Sequence, residues 1–196
     1  MSFKQRSTLS ETGVHINELI AACKRGEQSA QFEVYKKYYK AMFNAAIRIT
    51  QDSFEAEDVM QESFLNAFTK IDSFKGEVAF GAWLKRIVIN KSIIQLKKNR
   101  KFEETKFEVL ENTLSEQRNT EEDIVDYSVI KANEVLKTIG KLKENYRIAL
   151  TLSLVDGYDN EEVALIMKIS NENCRTTISR AKNKLRKLLQ QEALVN

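Results

Sequence analysis

The chain has 196 residues, with six glycines, no proline and a formal net charge of +3. So few turn-forming residues exclude a fold with many tight turns, such as an all-β barrel, and the length allows one domain or two small ones. No apolar run approaches the roughly 18 residues of a membrane-spanning helix, and the N-terminus lacks the apolar core of a secretory signal. We therefore expect an all-α cytoplasmic protein that does not insert into a membrane.

Apolar residues in the first half recur at the spacing of amphipathic helices. The predicted helices cover residues 14–24, 28–49, 53–71 and 80–100. Gly26 is placed to end the first helix, Asp52 can cap the third with Glu55 three residues later, and Gly76 interrupts the pattern before the fourth. The apolar positions are Phe32, Tyr35, Tyr39, Met42, Phe43, Ala46, Ile49, Met60, Phe64, Phe68, Ile71, Phe80, Trp83, Leu84, Ile87 and Ile94. We predict one compact domain over residues 14–101.

The second half begins with an acidic and weakly periodic stretch, residues 102–119, which predicts a linker. The helices expected after it cover residues 121–139, 143–155, 160–167 and 171–190. Thr120 can cap the first of them, and Asp159 with Glu162 has the spacing of a capping box. The stripe of the first helix is Val125, Val129, Ala132, Leu136 and Ile139. We predict a C-terminal domain over residues 120–194.

The short helix 160–167, the turn 168–170 and the longer last helix have the layout of a helix-turn-helix. The apolar stripe of the last helix is Cys174, Ile178, Ala181, Leu185 and Leu189, and its other faces carry Arg175, Thr176, Ser179, Arg180, Lys182 and Lys184. Arginine can pair bidentately with guanine, threonine and serine can contact bases or phosphates, and the later lysines suit phosphates. A solvated surface helix is the alternative, but the short preceding helix favours DNA binding.

The predicted helix 53–71 carries a second, outward face formed by Asp58, Gln61, Glu62 and Leu65. An acidic face around one leucine is typical of a helix that docks against a basic partner, although a solvated face has the same composition. The following helix has the opposite character, because residues 85–101 contain basic side chains and no acid. Such a basic run indicates a polyanionic partner.

Groups for metal binding or nucleophilic catalysis are scarce. His15 is the only histidine, and Cys23 and Cys174 lie far apart without a CxxC pattern. We therefore expect no metal, no cofactor and no enzymatic activity, and we interpret the cysteines as reduced, small apolar side chains.

Two blocks of sequence resemble bacterial RNA polymerase sigma factors of the extracytoplasmic-function (ECF) type. The first block is EAEDVMQESFLNAF (55–68) followed by FKGEVAFGAWLKRIVINKSIIQLKKNRK (74–101), and the second is LKENYRIALTLSLVDGYDNEEVALIMKIS (142–170) followed by NCRTTISRAKNKLR. The chain departs from the family at Lys168, where glycine is common, and at Thr177, where arginine is frequent.

The resemblance implies a transcription initiation factor that directs core RNA polymerase to promoters. It implies that Asp58, Gln61, Glu62 and Leu65 bind the clamp helices of the largest polymerase subunit. It further implies that the −10 element is bound by Phe74, Lys75, Trp83, Arg86, Asn90 and Lys91. The −35 element would be bound by Arg175, Thr176, Ser179, Arg180, Lys182 and Lys184. Many members of this family are held by an anti-sigma protein, which is therefore a further expected partner.

Two other functions fit parts of the sequence. One is a free-standing helix-turn-helix regulator whose first domain senses a ligand or dimerises. The other is a nucleic-acid hydrolase that uses the acids of residues 52–62, although these lie on an outward helix face without a defined metal cluster. Binding of core polymerase through residues 55–65 distinguishes the sigma factor from the regulator, and nuclease activity that depends on a divalent metal would favour the hydrolase.

Overall fold

A computed structural model of the protein describes residues 16–106 and 127–193, with side chains over 16–99 and 132–192. The described ranges are helical apart from turns and short loops and contain no strand, which confirms the predicted all-α class. The chain divides into two compact units, Met1–Gln95 and Leu96–Asn196. None of the described helices is both long enough and apolar enough to cross a membrane.

Within the described residues, the first unit is built from three helices, most of a fourth and a short 3₁₀ turn, and the boundary after Gln95 lies inside the fourth helix. The helices are α1 (16–24), α2 (Gln28–Thr50), α3 (Ser53–Thr69) and α4 (Phe80–Lys106), and the 3₁₀ turn is Ile71–Ser73. The Asp52 carboxylate caps α3 as predicted, because it accepts a hydrogen bond from the backbone N–H of Glu55 at 2.9 Å. The helix α4 ends at Lys106, five residues beyond the predicted end of the first domain at residue 101.

The core of the first unit lies between the apolar faces of α1 to α4. Most predicted positions are buried or half-buried, among them Met42, Phe64 and Leu84. Two predicted positions on α2 are exposed, because Val34, Ala45 and their neighbours face the core instead of Phe32 and Tyr39. These positions are corrections to the predicted apolar stripe.

The predicted stripe of α4 was wrong at Ile94, whose side chain is 64% exposed. The neighbouring Ile93 is buried at 5%, in line with Val88 and Ile89 one turn earlier. Ile93 follows Ile89 by four residues and Val88 by five and so continues their buried face, whereas Ile94 is rotated about 100° further round the helix. The packing of the preceding turn therefore selects Ile93.

An aromatic cluster fixes the loop between the 3₁₀ turn and α4. Phe74 lies edge-on to Phe80 at 5.3 Å between ring centroids, and Trp83 lies 5.4 Å from Phe74 and 5.5 Å from Phe80. The carbonyl oxygen of Phe74 also accepts a hydrogen bond from the Lys24 ammonium group at 3.3 Å. Because both ends of the loop pack on this cluster, residues 75–79 are held outward as an exposed rim.

The second unit contains the remaining helices. They are α5 (Tyr127–Gly140), α6 (Glu144–Leu150), α7 (Asn160–Met167) and α8 (Asn171–Ala193), and α6 continues into a π-helical turn over Thr151–Val155. On α5, Ile139 is buried and Leu136 half-buried as predicted, but Ala132 is exposed, which corrects the stripe. The predicted polar N-terminus 1–13, most of the linker 102–119, Thr120 and Val125 lie outside the described residues.

The C-terminal ends of α5 and α8 are joined by Glu192. Its carboxylate accepts hydrogen bonds from the Thr138 hydroxyl at 2.8 Å and from the Lys141 ammonium group at 2.6 Å. These hydrogen bonds hold the pKa of Glu192 below its ordinary value. These contacts hold the C-terminal end of α8 against α5.

Candidate functional site

The outward face of α3 is acidic between two exposed apolar side chains. Asp58, Gln61 and Glu62 are all exposed, and Leu65 is 68% exposed. Phe54, which is 80% exposed, precedes Asp58 by four residues and therefore lies on the same face. We call these five residues the α3 outer face. Exposed apolar side chains beside carboxylates favour a protein partner with apolar grooves and basic side chains.

Phe54 is not among the residues predicted for this face. It is the second residue of α3 and precedes the four positions from which this face was predicted. The available signal was its separation of four residues from Asp58 and eleven from Leu65, which keeps all three on one side of a helix.

The residues predicted to bind the −10 element in and after the loop 74–79 lie in two environments, an aromatic cluster and an exposed rim. Phe74 is buried at 8% and Trp83 is half-buried, so both belong to the aromatic cluster that supports the loop. Lys75 and Val78 are exposed, and Gly76 adopts a left-handed backbone with φ of +78°. The outward side chains of this rim are therefore the ones available to a ligand.

The outer stripe of α4 continues from this loop. Arg86, Asn90 and Ile94 are exposed at intervals of four residues and lie on one side of the helix. Lys91, which was predicted to bind DNA, forms an ion pair with Glu62 of the α3 outer face at 2.6 Å. The two predicted interfaces therefore meet at this contact between α3 and α4.

The helix-turn-helix of the second unit has the predicted helices and caps. The Asp159 carboxylate accepts hydrogen bonds from the backbone N–H groups of Glu161 and Glu162, and the Glu162 side chain accepts one from the backbone N–H of Asp159. The turn places Lys168 in the left-handed region, with φ of 59° and ψ of 49°. Its N–H bonds back to the end of α7, and this closure sets the direction in which α8 begins.

The helix α8 buries one face and exposes the predicted DNA-binding side chains. Cys174, Ile178, Ala181 and Leu185 are buried, and Leu189 is half-buried. Exposed side chains on the other faces are Arg175, Thr176, Ser179, Arg180, Lys182 and Lys184. Within the part of the chain that the structure describes, no ion pair engages the two arginines. This end of α8 can therefore offer its guanidinium groups to a partner without breaking an ion pair.

Side chains near the start of α8 are held by local hydrogen bonds. The Ser170 hydroxyl oxygen accepts from the backbone N–H of Asn173 at 3.2 Å. The Thr176 hydroxyl donates to the carbonyl oxygen of Glu172 at 3.0 Å, which leaves its lone pairs and methyl group outward. Thr177 donates to the Asn173 side chain at 3.3 Å and is half-buried, so it contributes less to the outer surface.

The two cysteines are free and buried, one in each unit. Burial raises the pKa of both thiols, which keeps them protonated and unreactive. Within the described ranges, no group of three or more His, Cys, Asp or Glu side chains could hold a metal ion.

Two protein-family models match the chain in the order of its two units. Residues 34–102 match Sigma-70 region 2, which covers most of α2 through α4, and residues 132–185 match Sigma-70 region 4, which includes the helix-turn-helix.

Curated proteins match along nearly the full length. The RNA polymerase sigma-H factor of Pseudomonas aeruginosa is 30% identical over 88% of this chain and 93% of its own length. The ECF RNA polymerase sigma factor SigW of Bacillus subtilis is 28% identical over 89% of this chain and 96% of its own. Among solved structures, the sigma factor RpoE of Bartonella quintana, in complex with the anti-sigma factor NepR, has a TM-score of 0.59. It is 23% identical and covers 81% of this chain and 95% of that chain, a likeness of fold.

Proposed function

The chain belongs to the sigma-70 family as an ECF-type sigma factor, and from this membership we propose how its surfaces divide the work of promoter recognition. It is a transcription initiation factor that binds core RNA polymerase and directs it to promoters, while the polymerase carries out the chemistry. Its site of action is the bacterial cytoplasm, where the polymerase is found. A protein of the anti-sigma class is its expected regulator. Residues 14–101 bind polymerase and the −10 element, residues 120–194 bind the −35 element, and residues 102–119 connect them.

The α3 outer face binds the clamp helices of the largest polymerase subunit. The observation that supports this assignment is the exposure of Phe54 and Leu65 on either side of Asp58, Gln61 and Glu62. Apolar anchors within a charged surface are typical of protein interfaces, where the anchors fill pockets and the charges steer association.

The rim 75–79 and the outer stripe of α4 bind the −10 element. Lys75, Arg86 and Asn90 are exposed and lie on elements positioned by the aromatic cluster. Phe74 and Trp83 act in this assignment by holding the loop, because their rings pack on each other and on Phe80. Lys91 contributes charge at the edge of this surface, since Glu62 already holds its ammonium group.

The exposed side of α8 binds the −35 element in the major groove. Arg175, Thr176, Ser179 and Arg180 lie in its first turns, where a recognition helix meets base edges. Lys182 and Lys184 follow on exposed positions and bind phosphates, which adds affinity that depends on salt but not on sequence.

Binding of reconstituted bacterial core polymerase tests the assignment of the α3 outer face. Asp58→Arg should weaken the affinity for core enzyme about ten-fold or more, because a positive charge then faces a basic partner. Glu18→Arg is the matched control, since it makes the same charge change at an exposed position of α1. Equal affinities of both variants would contradict the assignment, and failure of the unaltered chain to bind core enzyme would contradict the function itself.

A further inference from the structure

Ile94 is a large apolar side chain with no structural role in the core. It is 64% exposed on α4, and Ile93 beside it fills the core position of this turn. It continues the stripe of Arg86 and Asn90 at the same interval of four residues. It therefore lies on the surface that we assign to the −10 element, about 6 Å beyond Asn90 along the helix axis.

The surroundings of Ile94 are basic. The helix α4 carries no acid between Lys85 and Lys101, and the acid that reaches it from α3, Glu62, is paired with Lys91 at 2.6 Å. An apolar side chain in such a place fits a ligand that combines negative charge with small apolar groups. DNA supplies both, because phosphates neutralise the basic side chains and the C5-methyl group of thymine is apolar.

We propose that Ile94 contacts the methyl group of a thymine at the edge of the −10 element, and so contributes to promoter choice. The inference rests on the proposed function of α4 and deepens it by naming a base and a chemical group.

The test uses polymerase reconstituted with the full-length chain and a promoter found by transcription start mapping with that enzyme. Synthetic promoters carry deoxyuridine in place of one thymine at a time, on either strand, across the −10 element and the four flanking pairs. Deoxyuridine pairs as thymine does but lacks the methyl group. Binding should weaken about four-fold at one position, which corresponds to the loss of one buried methyl contact.

Variants then assign that methyl effect to Ile94. Ile94→Asn should bind the thymine promoter about four-fold more weakly and should no longer distinguish thymine from deoxyuridine at that position. Ile94→Val should retain most of the distinction. Phe32→Asn, which removes a similarly exposed apolar side chain from α2, should leave it unchanged.

Three outcomes would overturn the proposal. The first is that no replacement of thymine by deoxyuridine weakens binding, which includes the case of a promoter without thymine in this window. The second is that Ile94→Asn still distinguishes thymine from deoxyuridine. The third is that Ile94→Asn weakens binding equally on every promoter. The last outcome would indicate a protein contact at Ile94. The proposed function fails separately, since a chain that is not a sigma factor gives no specific start site with core enzyme in the first step.

Discussion

A single backbone conformation in the helix-turn-helix carries a measurable energetic penalty. Lys168 lies in the left-handed region, which places its Cβ close to the backbone and costs about 1 kcal/mol relative to glycine. Its side chain is exposed, so glycine removes no packing. Lys168→Gly should therefore raise the free energy of opening of the α7–α8 region by about 1 kcal/mol.

Native-state hydrogen exchange of the backbone amides of α7 and α8 measures this change locally. Lys187→Gly is the matched control, because the same substitution inside α8 should lower the free energy of opening by about 1 kcal/mol. The explanation by backbone strain is wrong if both glycine variants destabilise α8 to the same extent.

At the scale of single elements, the helices were predicted correctly where the signal lies within a few neighbouring residues of the sequence. Asp159 with Glu162, and Asp52 before Glu55, define helix starts within four residues of sequence, and both caps are present. The stripe of α8 was predictable for the same reason, since Cys174, Ile178 and Ala181 follow one period.

The predictions were wrong or incomplete where burial or helix geometry depends on tertiary packing. Ile93 and Ile94 are chemically equivalent, and Ile93 is the buried one because it continues the face on which Val88 and Ile89 pack into the core. The π-helical turn at Thr151–Val155 contains no proline or glycine from which it could be predicted.

The exposed side of α8 carries two kinds of cationic side chain for which we expect different behaviour. Arg175→Ala and Arg180→Ala should each weaken binding to the natural −35 element by about 1–3 kcal/mol, through loss of a bidentate contact with guanine. The loss should be much smaller on a promoter in which that base is already altered. Lys184→Ala should weaken binding to all sequences alike. It should also reduce the slope of log K against log salt concentration by about one.

Dissociation constants of the reconstituted polymerase on both promoters, measured over a series of salt concentrations, separate these behaviours. An arginine that binds only phosphate would behave like Lys184. In that case the sequence preference would have to come from Thr176 and Ser179.

At the scale of the whole molecule, the length of the connecting chain limits which promoters can be read. The segment between α4 and α5, residues 107–126, spans at most about 66 Å when fully extended at about 3.3 Å per residue. Two DNA sites separated by two helical turns lie about 70 Å apart. Binding of both elements at this separation would therefore require a nearly fully extended segment.

Deleting residues 108–115 leaves a segment that reaches only about 40 Å. This variant should bind core polymerase normally, because the α3 outer face is intact, but it should initiate poorly at promoters that need both elements. Replacing the same eight residues by an equally long Gly–Ser sequence should restore initiation if length is what matters. Core-enzyme affinity and transcript yield from one promoter measure the two effects separately. Full transcription by the deletion variant would show that the two elements are not bridged by this segment, whereas failure of the Gly–Ser chain would assign a role to its acidic side chains.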